Sequence, residues 1–99
     1  MLNIAKNIEG DSAVYQLEGR LDTVTAPEFE KELEESLEGI RFLTLDFEKL
    51  DYISSAGLRL LLSAQKRMNA QGEMKITGVN ETILEIFEIT GFSEILTIE

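Results

Sequence analysis

The alternation of apolar and polar residues at the start of the chain predicts two β-strands, over residues 1–8 and 12–18. A turn signal containing a glycine lies between them at residues 9–11, so the two strands are expected to pair as a hairpin. The segment 19–22 is then expected to lead the chain out of the sheet.

Two further segments have the composition of strands. Residues 42–47 are almost continuously apolar, as is typical of a buried central strand, and residues 48–53 are expected to be a connection after it. Residues 74–77 predict a short strand. At the end of the chain, residues 95–98 predict either a last edge strand or a helical turn.

The first helix has a recognisable start. Thr25 and Glu28 have the spacing of a capping box, and Pro27 lies in the first turn, where a missing N–H is harmless. Gly39 is a plausible end signal. An apolar stripe repeats every four residues, and acidic residues cover the other faces: the stripe is Phe29, Leu33 and Leu37, and the acids are Glu28, Glu30, Glu32, Glu34, Glu35 and Glu38.

Two more helices follow in the same way. One begins at Ser54 or Ser55 and reaches about Gln71, with a wide apolar face. The next is capped by Asn80 and ends at Gly91. The element order is therefore ββαβαβα. It predicts one α/β domain over residues 1–99, a mixed sheet of four or five strands with an N-terminal hairpin, packed against three or four helices on one or both faces.

Composition narrows the possible functions. The 99 residues include no His and no Cys, which removes disulfides, the commonest general base and the usual ligands of zinc, so neither a metal site nor a cofactor is expected. A net charge of -10 argues against direct binding of nucleic acid or an anionic membrane. The acidity either serves solubility or suits a basic partner. With no signal peptide and no run of 18 apolar residues, the expected location is the cytoplasm, without membrane insertion.

The segment from Asp51 to Arg59 is the candidate site, since it joins the central strand to the second helix. A helix start offers unpaired N–H groups and partial positive charge, which suit a phosphate. Ala56 and Gly57 are small enough for another protein to approach closely. Arg59 follows Ser55 by one turn and is placed to screen a phosphate there. The residues alone leave a second interpretation open, in which the serine is only an N-cap and the glycine only permits close packing.

At these residues the sequence resembles the STAS domain family of anti-sigma factor antagonists. The resemblance covers nearly the whole chain and is carried by five segments in a fixed order. They are Gly19-Arg20-Leu21-Asp22, Phe42 to Phe47, Tyr52-Ile53-Ser54-Ser55-Ala56-Gly57-Leu58, Lys75-Ile76-Thr77-Gly78-Val79, and Ile86-Phe87-Glu88-Ile89-Thr90-Gly91-Phe92.

The resemblance implies a phosphorylation switch. In antagonists of this family a serine two residues before the glycine, here Ser55, is phosphorylated by an anti-sigma factor serine kinase with a histidine-kinase-like ATP-binding fold. The unphosphorylated antagonist binds this kinase and frees the sigma factor, and a PPM-type serine phosphatase reverses the modification. Ser54 is the alternative phosphorylation site. The resemblance also implies partner binding by Asp22, Ser54, Ala56, Gly57 and Arg59.

Two positions depart from the common family pattern. Many antagonists have Asp immediately before the phosphorylated serine, where Ser54 stands here, and Ser or Thr after it, where Ala56 stands. The alternative function is therefore a non-catalytic STAS interaction subunit of a membrane transport complex or a signalling scaffold. An enzyme with Ser55 as nucleophile lacks His and a Gly-x-Ser-x-Gly elbow, and nucleotide binding lacks a Gly-x-x-x-x-Gly-Lys loop, so neither is expected.

Overall fold

The computed structural model describes residues 2–99 and has the predicted element order. The elements are β1 (Leu2–Glu9), β2 (Ser12–Leu21), α1 (Ala26–Ser36), β3 (Phe42–Ile53), α2 (Ser55–Gln71), β4 (Glu73–Thr77) and α3 (Glu81–Thr90), followed by a 3-10 turn at Phe92–Glu94. Met1, where the first strand was expected to begin, lies outside the described residues.

One mixed sheet with the strand order β1-β2-β3-β4 organises the protein. The predicted hairpin is confirmed, because β1 and β2 pair antiparallel from Leu2 opposite Gly19 to Glu9 opposite Ser12. The pairs β2–β3 and β3–β4 are parallel. The 3-10 turn ends before residues 95–98, and within that segment Ile98 makes one parallel bridge with Ile76 at the outer side of β4. The edge-strand interpretation of this segment is therefore confirmed in part, and the helical turn lies just before it.

Two strands are longer than the sequence pattern predicted. Residues 19–21 continue β2 instead of leaving the sheet, and residues 48–53 belong to β3 instead of forming a connection. The pairing register shifts twice along this stretch, so that Gln16 faces Asp46 but Glu18 faces Lys49. Extra residues in β3 interrupt the two-residue alternation of burial, and the segment therefore has the sequence pattern of a loop.

The helices cover one face of the sheet, and the other face is open to solvent. Along β2, buried Ala13, Tyr15 and Leu17 alternate with the more exposed Val14 and Gln16. Crossovers between parallel strands are nearly always right-handed, and in the strand order β2-β3-β4 this places the connecting helices on one side of the sheet. Among residues 2–99, no helix is both long enough and apolar enough to cross a membrane.

Candidate functional site

The candidate site lies where β2 and β3 end side by side and α1 and α2 begin. In the parallel register, Arg20 lies opposite Tyr52 and Leu21 lies opposite Ile53. The backbone N–H of Ser54 donates to the Leu21 carbonyl at 2.9 Å. The two chain segments that carry the predicted site residues therefore leave the sheet as neighbours, at the carboxyl edge where α/β sheets place their ligand sites.

The two serines have different environments. Ser54 is half-buried and is the N-cap of α2: its Oγ accepts from the backbone N–H of Gly57 at 3.4 Å, and its carbonyl accepts from the N–H of Leu58 at 2.9 Å. Ser55 is the first residue of the helix and is exposed. The cap prediction thus falls on Ser54, which leaves Ser55 as the hydroxyl that faces solvent.

Gly57 is buried in the first turn of α2, and its lack of a side chain has an internal cause. A Cβ added there would lie 2.7 Å from Ile53 Cγ1, 2.9 Å from the Leu21 carbonyl oxygen and 3.0 Å from Leu21 Cγ. Glycine therefore lets α2 pack directly on the ends of β2 and β3. Its expected part in partner binding remains a prediction.

Asp22 organises the turn between β2 and α1. Its Oδ1 accepts from the backbone N–H groups of Val24 at 3.0 Å and Thr25 at 3.1 Å. The hydrogen bond from the Thr25 N–H, followed by that from Val24, holds the pKa of Asp22 below its ordinary value of 3.8. Asp22 is therefore ionised at neutral pH and fixed in place.

The predicted capping box at the start of α1 is wrong in detail. Thr25 is the N-cap residue, but its side chain makes no capping hydrogen bond. The buried hydroxyl instead donates to the Arg20 carbonyl at 2.7 Å and accepts from the Asp22 N–H at 2.9 Å. The end of β2 competes for the hydroxyl, because the turn would otherwise bury unpaired backbone groups.

Arg20 was not among the expected site residues. Its guanidinium carbon lies 4.4 Å from the centre of the Tyr52 ring, and its Nε lies 3.7 Å from Asp22 Oδ2. Arg20 and Tyr52 meet only because both belong to paired strands, whereas the sequence pattern placed Tyr52 in a connection. The parallel register is thus the signal that would have identified this pair.

A groove of about 430 Å³ runs between the starts of α1 and α2, and Ala56, the residue after Ser55, lines it. Its walls are Thr23, Ala26, Pro27 and Glu30 on one side and Ala56, Arg59 and Leu60 on the other. The turn at its end carries Val24, an apolar side chain that is 85% exposed. The structure therefore brings all six predicted site residues to one end of the sheet, around an open groove with an apolar rim. Residues 2–99 contain no cluster of side chains suited to hold a metal ion.

A larger cavity of about 480 Å³ lies at the other end of the strands, near Ser12, Phe42 and Glu73. It includes none of the predicted site residues. Size alone therefore does not mark the candidate site, and the arrangement of serine, helix start and groove is the better guide.

The sheet order, with all three helices on one face and a serine at the start of the second, defines the STAS class of α/β domain. Residues 3–99 match the family model of the STAS domain, and the chain belongs to that family.

Among individual proteins, the chain is 38% identical over 84 residues to BtrV of Bordetella bronchiseptica, whose name gives it as a candidate anti-sigma factor antagonist; the match covers 83% of this chain and 72% of BtrV. It is 32% identical to the anti-sigma-B factor antagonist of Staphylococcus aureus, over 96% of this chain and 90% of that one. The fold is shared with the Bacillus cell fate determinant SpoIIAA in its phosphorylated form, with a TM-score of 0.77, 17% identity and coverage of 98% and 91% of the two chains. The expected fold and family are thereby confirmed.

Proposed function

We propose that this protein is an anti-sigma factor antagonist whose binding to an anti-sigma factor is switched by phosphorylation of Ser55. The observation that carries the proposal is the exposed Ser55 at the start of α2, next in the chain to the groove residue Ala56 and two residues before the buried Gly57. The names of the sequence relatives support the same function.

The unphosphorylated protein docks through the groove end of the sheet onto a serine kinase that acts as the anti-sigma factor. That kinase transfers the γ-phosphoryl group of ATP to Ser55. The bond from Oγ to the γ-phosphorus forms, the bond from that phosphorus to the bridging oxygen of ADP breaks, and the serine proton is released to solvent. The new group adds roughly 1.5 to 2 negative charges to a protein of net charge -10. The phosphate is unfavourable against an acidic or apolar docking surface, so the partners separate, and a PPM-type phosphatase restores the free serine.

Ser55 is favoured over Ser54 by accessibility and by the role of each hydroxyl. The Ser54 Oγ accepts the Gly57 N–H and is half-buried, so a kinase would have to break the cap of α2 to reach it. Ser55 does not make the hydrogen bond that caps α2, because Ser54 makes it. Its modification would leave the helix start intact and place the phosphate near unpaired N–H groups.

The experiment is capture of partners from the source organism with tagged protein, followed by phosphorylation with the captured kinase and mapping of the modified residue. Ser55→Ala should abolish phosphorylation while keeping kinase binding. Ser54→Ala is the matched control and should still be phosphorylated, with a stability loss of about 1 kcal/mol from the missing cap.

The opposite pattern, with phosphorylation lost only in Ser54→Ala, would move the site by one residue. If the protein purified from its native host carries no phosphoserine under any growth condition and captures no kinase, the proposal is wrong. The non-catalytic interaction subunit would then be the better description.

A further inference from the structure

Arg59 lies on the same side of α2 as Ser55. Residues four apart on a helix are surface neighbours, with Cβ atoms about 5–6 Å apart. Long helical side chains also lean toward the helix N-terminus, so the side chain of Arg59 covers the turn that contains Ser55 and Ala56. Ala56, the neighbour of Ser55, lines the groove together with Arg59, so the arginine lies at the same end of α2 as the serine.

This arginine has no ion pair of its own. Within residues 2–99, carboxylates lie within 4.0 Å of Lys6, Arg20 and Lys75, but none lies that close to Arg59. Two carboxylates belong to this end of the sheet. Glu30 lines the groove from α1, and the Asp22 carboxylate is held by Val24, Thr25 and Arg20. In a chain with 19 acidic and 9 basic residues, an unpaired arginine at the site is a free cation on the docking face.

We propose that Arg59 is the internal counter-ion of phosphoserine 55, so that phosphorylation withdraws from the docking face the cation that the unmodified protein offers to its partner. The inference rests on the proposed phosphorylation of Ser55. Guanidinium N–H groups donate to the phosphate oxygens in a charge-assisted pair. The groove wall then changes from one positive charge to a net charge near -1, and the arginine is no longer available to an acidic group of the partner.

The pair can be tested without the kinase or the partner. Phosphoserine is incorporated at position 55 by genetic-code expansion, and the second pKa of its phosphate is measured by ³¹P NMR titration. A neighbouring cation lowers that pKa, so Arg59→Gln should raise it by about 0.3–1 unit relative to the parent. Arg59→Lys should keep part of the shift, because it keeps the charge but loses the fork of donors.

Arg41→Gln is the matched control. Arg41 is an exposed arginine just before β3, at the other end of that strand from Ser55, so this variant makes the same change in net charge far from the site. It should leave the phosphate pKa within 0.1 unit of the parent. Circular dichroism checks that each variant is folded, and Gln is nearly as good a helix former as Arg.

Equal phosphate pKa values in the parent and Arg59→Gln would overturn the proposal. A shift seen in Arg20→Gln but not in Arg59→Gln would overturn it too, because Arg20 would then be the counter-ion. Neither result bears on whether a kinase uses Ser55. Conversely, an absence of phosphoserine in the native host would refute the proposed function and leave the measured ion pair intact.

Discussion

Replacing Gly57 with alanine measures how tightly α2 is packed on the sheet at the candidate site. Two effects oppose each other. Alanine is a better helix former than glycine by about 1 kcal/mol. Its methyl group, however, would sit 2.7 Å from Ile53 Cγ1 and 2.9 Å from the Leu21 carbonyl oxygen, and the latter belongs to the backbone and cannot rotate away.

The contact is expected to prevail over helix propensity. Overpacking of a close-packed interior costs about 1–3 kcal/mol. Relief requires α2 to move from the end of β2, which also weakens the hydrogen bond of 2.9 Å from the Ser54 N–H to the Leu21 carbonyl, a bond worth about 0.5–1.5 kcal/mol. The net expectation for Gly57→Ala is a loss of about 0.5–3.5 kcal/mol in the free energy of unfolding, after the gain in propensity is deducted.

Urea unfolding followed by circular dichroism measures this loss. The urea concentration at the midpoint should fall, whereas the dependence of the unfolding free energy on urea concentration should not change. Ser63, exposed in the middle of α2, provides the control: Ser63→Ala should be more stable than Ser63→Gly by about 1 kcal/mol, which gives the propensity difference in this helix without any contact. If the Gly57→Ala variant is more stable than the parent by as much as Ser63→Ala is more stable than Ser63→Gly, the packing argument is refuted.

Two further substitutions test other parts of the structure. Tyr15 is fully buried, and its hydroxyl has no hydrogen-bond partner within residues 2–99. Urea unfolding of Tyr15→Phe should therefore give a free energy of unfolding that is unchanged or up to about 1 kcal/mol higher than that of the parent. A loss above about 1 kcal/mol would contradict this expectation. Asp22 has a lowered pKa in the folded protein, so its ionised form contributes stability above about pH 4 that is lost as the pH falls through the folded-state pKa. Thermal unfolding between pH 2 and 7 should therefore show a shallower acid loss for Asp22→Asn than for the parent, and parallel curves would rule out this contribution.

Much of the fold follows from local sequence patterns. The caps at Ser54 and Asn80 and the left-handed Gly91 lie where the sequence placed the helix ends. These signals are local, since each depends on a few residues and their own backbone groups. The order of elements then limits the sheet to a small number of topologies, of which the observed one is the simplest.

The features that were not predicted from the sequence depend on pairing between residues that are distant in the chain. Register shifts in β3 hide a strand whose partner lies about 30 residues earlier in the chain, and only that partner makes residues 48–53 a strand. The Thr25 hydroxyl was assigned to α1 by spacing, but it serves the end of β2. The pair of Arg20 and Tyr52 depends on the same register, so sequence reasoning found the candidate serine but missed this pair at the ends of β2 and β3.

Some residues of the candidate site stabilise the backbone, and others are exposed to solvent. Ser54, Gly57 and the Asp22 turn use their polar groups or their small size internally, whereas Ser55 and Arg59 lie at the surface without such duties. This division gives a physical reason for Ser54 where many family members have Asp. Serine and aspartate cap a helix about equally well, so the exchange keeps the helix start. It also removes a carboxylate next to Ser55, and a phosphate there would meet less repulsion inside its own protein. The modification could then weaken binding to a partner with little cost to the fold.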